Sequence, residues 1–264
     1  MLIKSAASGC TSMFMIQTAP NTSCLNKGKR MKREEYLEKI LQLYSLVAVL
    51  SRKNGCEALR LRNRKHGKDL VLRSFPYKLP AYNKLLNIRC ANLPEIYEVL
   101  ELDDGQIVLE EYIDGITAAQ VMEIDKYQPA GAKKVLRSVC DALTVLHRQG
   151  IVHRDVKPEN VMIEKSGRVV LIDFNASRME SNASKDTVIM GTVGYASPEQ
   201  LGLLQTDART DVYAAGVLYN VMLTGQHPSA TMAPGKAGVI VRKCTAVNPK
   251  ERYQTAAELW SALY

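Results

Sequence analysis

The chain of 264 residues is 46% hydrophobic and carries a formal net charge of +8. This length suits one folded unit with a sizeable core, and the sequence shows neither an internal repeat nor a low-complexity tract. The longest apolar runs, Leu46 to Leu50 and an interrupted stretch over 212–223, are too short to span a bilayer. We therefore expect a soluble protein without a membrane span.

The six cysteines favour a reducing compartment. They lie at positions 10, 24, 56, 90, 140 and 244, with no Cys-x-x-Cys pair and no zinc-type spacing to the four histidines. Reduced thiols in the cytoplasm are the simplest account, so we expect a cytoplasmic protein.

The first 30 residues hold no recognisable element. Their only apolar patch, Met13 to Ile16, makes a poor secretory signal, and we expect residues 1–30 to form a disordered extension. Met31 is a candidate natural start. After it, Glu/Lys spacing and periodic apolar residues predict a helix over about 32–43.

Positive charge is concentrated in residues 1–80, which hold 16 Lys and Arg against 5 Asp and Glu. Such a region could contact nucleic acid, acidic lipid or an acidic partner. The stretch RLRNRKHGK, however, has the alternation of an exposed hairpin and no interleaved aromatic residues. A solvated strand face is thus the favoured interpretation, and a nucleic-acid-binding module is a minor alternative.

The middle of the chain predicts a buried helix and then a hairpin. Residues 131–149 place apolar side chains from Val135 to Leu146 on one face, as core packing requires. Two short apolar runs, Val161 to Ile163 and Val169 to Ile172, surround a glycine-containing turn and predict antiparallel strands.

Polar side chains flank this hairpin at one end. Asn160 precedes the first strand and Asp173 follows the second, so the two should be neighbours, with Asp155 on the same loop. Oxygen-bearing side chains of this kind suit a hard cation such as Mg²⁺. Lys157 adds a point charge suited to a phosphate.

Five short motifs follow one another from residue 153 onward. They are HRDVKPEN at 153–160, DFN at 173–175, SPE at 197–199, DVYAAG at 211–216 and NPKER at 248–252. In this order they resemble the catalytic loop, the Asp-Phe-Gly and Ala-Pro-Glu motifs, the central helix and the late Asp-Pro-x-x-Arg element of eukaryotic-type (Hanks-type) serine/threonine protein kinases. The resemblance covers roughly residues 44–264 and is strongest from 143 onward.

The resemblance implies an α+β, two-lobed fold within a kinase-like domain at 31–264. A small β-rich lobe would span about 44–110, and a larger, mostly helical lobe would span about 115–264. It also implies that the chain transfers the γ-phosphate of ATP, bound with Mg²⁺, to serine or threonine hydroxyls of protein substrates.

Roles for single residues follow from the same resemblance. Asp155 would orient the attacking hydroxyl or accept its proton, while Asn160 and Asp173 would hold Mg²⁺ beside the ATP phosphates. Lys157 would neutralise the transferring phosphate. Arg154 suggests regulation by a phosphorylated activation segment, because phosphate and arginine form strong charge-assisted hydrogen bonds.

The activation segment would run from Asp173 to Glu199. Candidate sites of autophosphorylation in it are Ser177, Ser181, Ser184, Thr187 and Thr192. We expect Thr192 to shape the substrate-docking loop rather than to act as a switch.

Two further expectations concern the large lobe. Glu199 and Arg252 should pair with each other in a structural role. Asp211 should be the N-cap of a helix over 212–223, and it could also tether the backbone of the catalytic loop.

The stretch LSRKNGCEA, residues 50–58, departs from the family's glycine-rich phosphate loop. The three glycine positions hold Ser51, Lys53 and Cys56, and Gly55 is one position off. Glycine matters in such a loop because it lets the backbone amides approach the anion closely.

The family's phosphate-orienting lysine is also replaced. Arg73 occupies its position and keeps the positive charge with a different donor geometry. The glutamate that normally pairs with this lysine falls near Ala81 or Tyr82, which cannot accept from a guanidinium. Glu57 on the second strand is the candidate substitute.

The stretch IVLEEYIDG, residues 107–115, resembles the strand and hinge that would bind adenine through backbone groups. Glu110 falls at the gate beside the adenine pocket, which it would make more polar or partly closed, and Glu111 begins the hinge. Asn175 replaces the glycine of Asp-Phe-Gly, and asparagine tolerates a positive φ better than other non-glycine residues.

Two hypotheses follow from these observations. The favoured one is a weakly active or unusually organised serine/threonine kinase whose large-lobe motifs are complete. The alternative is a pseudokinase that binds nucleotide or acts as a scaffold.

Overall fold

The computed structural model describes residues 32–180, 192, 194–201 and 205–264. The expected disorder of residues 1–30 lies outside these residues.

Strands dominate the first third of the described chain. Its elements are α1 (Arg33–Leu43), β1 (Tyr44–Lys53), β2 (Cys56–Asn63), β3 (Asp69–Phe75), α2 (Pro80–Leu85), β4 (Ile96–Leu102) and β5 (Gly105–Glu111). Among the described residues, five strands form one antiparallel sheet in the order β1-β2-β3-β5-β4. The expected helix over 32–43 is confirmed by α1.

Helix α1 packs against this sheet. Tyr36 and Ile40 are buried in a cluster with Leu61, Leu72 and Leu109 from three strands. The Tyr36 hydroxyl also donates to Glu98 on β4 at 2.8 Å. Helix α1 covers one face of the sheet. The opposite face packs with α2 into the main hydrophobic core.

The β1–β2 connection is a two-residue turn. Asn54 and Gly55 both have positive φ, 53° and 76°, which a tight type I′ hairpin requires and which Asn-Gly supplies at low cost. Next to the turn, Glu57 accepts from Arg52 on the paired strand at 2.8 Å. Gly55 thus serves a hairpin turn, and the expected approach of Glu57 to Arg73 is wrong.

The basic hairpin carries its own counter-charge. Arg60 and Arg62 on β2 each donate to Asp69 at 2.6 Å. The Arg60 guanidinium also lies 4.0 Å from the centre of the Tyr112 ring. These contacts agree with a paired, solvated strand surface.

Helices dominate the rest of the described chain. Its elements are β6 (Gly115–Thr117), α3 (Ala118–Ile124), α4 (Pro129–Arg148), β7 (Ile151–Val152), β8 (Val161–Glu164), β9 (Val169–Leu171), β10 (Arg178–Met179), α5 (Ala208–Thr224), α6 (Gly235–Cys244) and α7 (Ala256–Ala262). The predicted apolar face of α4 is buried from Val135 to Leu146, and β8 pairs with β9 as the hairpin prediction requires.

Helix α5 begins earlier than the sequence suggested. Its N-cap is Asp207, whose side chain accepts from the Arg209 N–H at 2.9 Å. Asp211 lies inside the first turn, so the predicted N-cap at Asp211 is wrong. The helix ends at Gly225, whose φ of 74° gives the left-handed C-cap that glycine favours.

The expected pairing of Glu199 with Arg252 is confirmed. Glu199 and Arg252 form a buried bidentate pair, with N–O distances of 2.6 and 2.9 Å. The cysteines of the described part, Cys56, Cys90, Cys140 and Cys244, are all free thiols. In the same part of the chain, no helix is both long and apolar enough to cross a membrane.

Candidate active site

The loop after β7 is held by a buried carboxylate. Asp211 accepts from the backbone N–H groups of His153 and Arg154, both at 2.8 Å, and its side chain is fully buried. Arg154 has a φ of 67°, which is unfavourable for a non-glycine residue. The predicted tether is thus confirmed, and it stabilises the strained backbone just before Asp155.

Asp155 is the centre of a hydrogen-bonded cluster. Its Oδ1 accepts from the Thr192 hydroxyl at 2.7 Å, and its Oδ2 lies 2.7 Å from Lys157 Nζ and 2.8 Å from Asn160 Nδ2. Lys157 also donates to Thr192 Oγ1 at 2.7 Å. Sequence reasoning had given Thr192 only a loop-shaping role.

These contacts keep Asp155 ionised. Burial alone would raise the pKa of Asp155, but the hydrogen bonds from Lys157, Thr192 and Asn160 together outweigh burial and lower it. A carboxylate with a lowered pKa orients a hydroxyl proton well but removes it only weakly.

Asn160 and Asp173 lie at the same end of the β8–β9 hairpin. The Ile172 N–H donates to the Asn160 carbonyl at 2.9 Å, and Asp173 follows directly. The Asn160 amide nitrogen donates to both the backbone and the side chain of Asp155, which leaves its side-chain carbonyl oxygen for another partner. Carboxylate and amide oxygens are a donor set that fits Mg²⁺.

The positive φ in the DFN motif lies at its first residue. Asp173 itself has a φ of 68°, whereas Asn175 has no positive φ, so the tolerance of asparagine for that conformation is not used here. The Asn175 N–H instead approaches Asp173 Oδ1 at 3.3 Å. The strained residue is therefore Asp173, whose side chain lies beside Arg73 in the candidate active site.

Arg73 pairs with Glu110 across the sheet. Arg73 on β3 lies opposite Val108 on β5, so Glu110 is its diagonal neighbour on the same face. Arg73 Nε donates to Glu110 Oε1 at 2.6 Å, and Arg73 Nη1 lies 3.8 Å from Asp173 Oδ1. A glutamate inside an apolar strand was a visible signal in the sequence, but the strand register that makes it the partner of Arg73 was not.

Burial and charge act against each other in this pair. Burial alone would lower the pKa of Arg73, but Glu110, Tyr82 and Asp173 together outweigh burial and raise that pKa. Burial and the neighbouring charges of Asp173 and Glu111 raise the pKa of Glu110, although the charge and hydrogen bond of Arg73 act to lower it. The arginine therefore stays charged, while Glu110 is a weaker acid than an exposed glutamate.

Tyr82 occupies the place where the sequence lacked a helix glutamate. It lies on the six-residue helix α2, is fully buried, and contacts Phe174 edge-on with ring centres 5.7 Å apart. Phe174 packs in turn on His153 at 5.4 Å. A continuous row of rings thus connects α2 to the catalytic loop.

The Glu111 side chain joins the two lobes. It accepts from Arg168, in the turn between β8 and β9, at 2.6 and 3.0 Å. Burial alone would raise the pKa of Glu111, but the hydrogen bonds from Arg168 and from the Glu95 backbone lower it. Because its carboxylate is engaged, any contact of Glu111 with a nucleotide would come from its backbone.

Part of the activation segment is described. The Ser177 hydroxyl donates to the Phe174 carbonyl at 2.5 Å, and Thr192 holds Asp155. The other phosphorylation candidates, Ser181, Ser184 and Thr187, lie outside the described residues.

Sequence comparisons agree with this arrangement. A family model described as the protein kinase domain matches residues 81–262. The match begins after β3, so the first three strands and Arg73 fall outside it. This boundary agrees with the divergent small lobe.

Three relatives illustrate the likeness. The serine/threonine-protein kinase PknB of Mycolicibacterium smegmatis is 31% identical over 208 residues, covering 66% of this chain and 33% of that protein. PknB of Mycobacterium leprae is 31% identical over 207 residues, with the same coverage. A probable serine/threonine-protein kinase of Corynebacterium efficiens, CE0033, is 34% identical over 170 residues, covering 53% of this chain and 26% of that protein.

The fold and the family match define a two-lobed protein kinase domain. The chain belongs to the protein kinase family, within the Hanks-type serine/threonine kinases. It spans about a third of the length of the PknB relatives that it matches.

Proposed function

We propose that this chain is a weakly active serine/threonine protein kinase that uses ATP and Mg²⁺. The observation that carries the proposal is the Asp155 cluster, in which one ionised carboxylate is held by Lys157, Thr192 and Asn160. Protein serine and threonine hydroxyls are the substrates, and the activation segment of the same chain is a candidate substrate.

Asp155 orients the attacking hydroxyl. The hydroxyl oxygen of the substrate attacks the γ-phosphorus of ATP as the bond to the β,γ-bridging oxygen breaks. The hydroxyl proton passes to Asp155 or to water. Phosphoryl transfer has a loose transition state that needs little removal of the proton beforehand, so a carboxylate with a lowered pKa suffices. Lys157, already beside Asp155, neutralises charge on the transferred group.

Asn160 and Asp173 are the proposed ligands for Mg²⁺. Bound Mg²⁺ would neutralise the charge that builds on the phosphate oxygens. Asp173 supplies a carboxylate beside Arg73. Asn160 supplies its side-chain carbonyl oxygen, because only its amide nitrogen is bound to Asp155.

Arg73 accounts for the proposed weak activity. Its Nε is committed to Glu110, so only its terminal nitrogens could reach a phosphate. An arginine held in this way keeps the positive charge of a lysine. It lacks the compact ammonium group that a lysine would place against the phosphate. Positioning groups of this type affect the rate more than they decide whether the chemistry occurs.

A pseudokinase is the second candidate. The buried carboxylate of Glu110 at the gate favours it, because a negative charge there opposes the binding of a nucleotide polyanion. Such a protein would bind nucleotide or a partner without transferring phosphate.

The deciding experiment is the intact mass of phosphatase-treated protein after incubation with Mg²⁺ and ATP. We expect phosphate adducts on the wild type, and a rate at least about a hundredfold lower in Asp155→Asn, which keeps the shape of the carboxylate. The matched control, Asp125→Asn, changes an exposed carboxylate and should behave as the wild type. Equal absence of adducts from all three proteins would favour the pseudokinase, and Mg²⁺-ATP-dependent thermal stabilisation would then test nucleotide binding.

A further inference from the structure

Large apolar side chains are exposed together along one edge of the small-lobe sheet. Of the thirteen large hydrophobic side chains that are exposed in the described part of the chain, six fall within ten consecutive positions, at the end of α1 and along β1. Single exposed apolar residues are ordinary, whereas a contiguous group indicates an interaction surface. We call this group the apolar edge; its members, 42–53% exposed, are Leu41, Leu43, Leu46, Val47, Val49 and Leu50.

The backbone of β1 is poorly suited to pairing with a further strand. β1 is an edge strand, and among the described residues it pairs only with β2. Its register shifts between Leu46 and Ala48 and again between Val49 and Ser51. Such bulges twist an edge strand and oppose the addition of another strand. The apolar edge is therefore suited to a contact made by side chains.

Positive charge lies at both ends of the apolar edge. In the β2–β3 turn, the Arg64 N–H donates to the Leu43 carbonyl at 3.0 Å, and the Arg64 guanidinium donates to the Leu41 carbonyl at 3.4 Å. Lys65 follows in the same turn, and Lys53 ends β1. These three cations are exposed, and none forms an ion pair with a carboxylate in the described part of the chain, unlike the arginines of β2.

We propose that the apolar edge and its three flanking cations form a surface that binds an anionic phospholipid bilayer. The apolar side chains enter the boundary between headgroups and acyl chains, and Lys53, Arg64 and Lys65 contact the lipid phosphates. Apolar area and attraction to anionic lipid both contribute to binding at such surfaces. The contact is peripheral and needs no membrane span, and it does not depend on the proposed kinase function.

A second copy of the chain is the competing occupant. A two-fold dimer through this surface would place the apolar edges of two copies against each other. Because both ends of the edge are positive, cations of the two copies would meet in either relative orientation of the strands. Like charges oppose that contact, whereas an anionic bilayer neutralises them.

Flotation of the full chain with lipid vesicles tests the proposal. We expect the partition coefficient to be at least about tenfold higher for vesicles of phosphatidylglycerol and phosphatidylcholine than for phosphatidylcholine alone. Added salt should reduce this difference, because it screens exposed charges. Equal binding to the two kinds of vesicle, or no binding by the wild type, would overturn the proposal.

A double substitution tests the apolar part of the surface. Leu46→Thr with Val49→Thr removes exposed apolar area but keeps β-branched side chains in the strand, so the stability in urea should change little. We expect the partition coefficient to fall about tenfold. The matched control is Val239→Thr with Val247→Thr, two exposed valines of the large lobe, which should bind as the wild type does.

A second pair of variants tests the cations. Arg64→Gln with Lys65→Gln should lower the partition coefficient at least about tenfold, because each basic residue near an anionic surface contributes about 1 kcal/mol. Its control, Lys165→Gln with Lys250→Gln, removes the same charge from exposed positions elsewhere and should have little effect. Wild-type binding by either test variant would overturn the proposal.

Light scattering separates the two occupants. We expect the wild type without lipid to be a monomer, unchanged by Leu46→Thr with Val49→Thr. A dimer that these substitutions disperse would overturn the proposal and assign the apolar edge to a second copy of the chain.

Discussion

Among single residues, Thr192 makes a contact with Asp155 that the sequence did not predict. Its hydroxyl donates to Asp155 and accepts from Lys157, so one oxygen links the two charged groups of the catalytic loop. Burial of Asp155 would otherwise favour its protonated form, and the hydroxyl is one of three donors that oppose this. Thr192 thus connects the proposed activation segment to the carboxylate that we propose as catalytic.

We predict that Thr192→Val lowers the initial rate of autophosphorylation by about tenfold. The substitution keeps the side-chain shape but removes one charge-assisted hydrogen bond to Asp155, whose loss corresponds to about 1.5–3 kcal/mol. Intact mass spectrometry over time measures the rate. Thr192→Ser keeps the hydroxyl and should stay within about threefold of the wild type; a fully active valine variant would contradict the assigned role.

Arg73→Lys gives the second prediction at this scale. A lysine has one donor centre, so it cannot contact Glu110 and Asp173 as the guanidinium does. We expect this buried substitution to destabilise the protein by about 1–3 kcal/mol in urea unfolding, although lysine is the residue that the family resemblance implies.

The control for Arg73→Lys is Arg60→Lys, on the more exposed Asp69 pair. It should have the smaller effect. Arg73→Lys matching or exceeding wild-type stability would mean that the Glu110 pair is not specific for arginine.

At the scale of elements, the β1–β2 hairpin shows why the glycine-rich pattern is missing. The strands run directly into a two-residue Asn-Gly turn, and the Arg52–Glu57 pair forms beside it. A hairpin closed this tightly needs glycine at the turn rather than along the strands. The β1–β2 hairpin is therefore present although the glycine-rich sequence typical of the family is absent from it.

We predict that Gly55→Ala destabilises the protein by about 1–2 kcal/mol in urea unfolding. Gly55 has a φ of 76°, which alanine adopts only with strain, and a Cβ there would lie 3.2 Å from Pro76 Cγ. Gly67→Ala is the control, because its φ of 66° gives similar strain but a Cβ meets nothing within 4 Å. Equal losses would show that Pro76 contributes nothing, and no loss would rule out the left-handed turn.

At the scale of the whole molecule, ion pairs join parts of the chain that are far apart in sequence. Arg168 connects the β8–β9 turn to Glu111 in the small-lobe sheet, and Arg252 connects the end of the large lobe to Glu199. Burial would raise the pKa of Glu199, but the hydrogen bonds and charge of Arg252, together with hydrogen bonds from the backbone and Ser197, lower it overall. Such pairs make stability depend on pH.

We predict that the Glu199 pair stabilises the protein at neutral pH and loses its effect in acid. Because the folded pKa is lowered, the contribution is complete above the ordinary glutamate pKa of about 4.3 and disappears as pH falls through the folded value. Urea unfolding between pH 7 and pH 3 measures this. Glu199→Gln should be less stable at pH 7 and should depend less on pH in acid.

The control for Glu199→Gln is Glu35→Gln, at an exposed pair with Lys39. It should change stability and its pH dependence little. If Glu199→Gln retained the full acid dependence of the wild type, other carboxylates would have to account for it.

The family, the two-lobed fold and the convergence of Asp155, Asn160 and Asp173 at one end of the hairpin could all be predicted without coordinates. These features follow from short-range patterns: hairpin periodicity, motif order, and the residues that flank one end of a hairpin. The sequence also predicted the Glu199–Arg252 pair through the resemblance.

Only the tertiary structure decided the partner of Arg73. Glu110 is 37 residues away in the chain and becomes its neighbour through the β3–β5 register, which no local pattern fixes. The same holds for Thr192 beside Asp155 and for Arg168 on Glu111. Such long-range pairs depend on how strands and loops are brought together, so local sequence patterns identify the charged residues but not their partners.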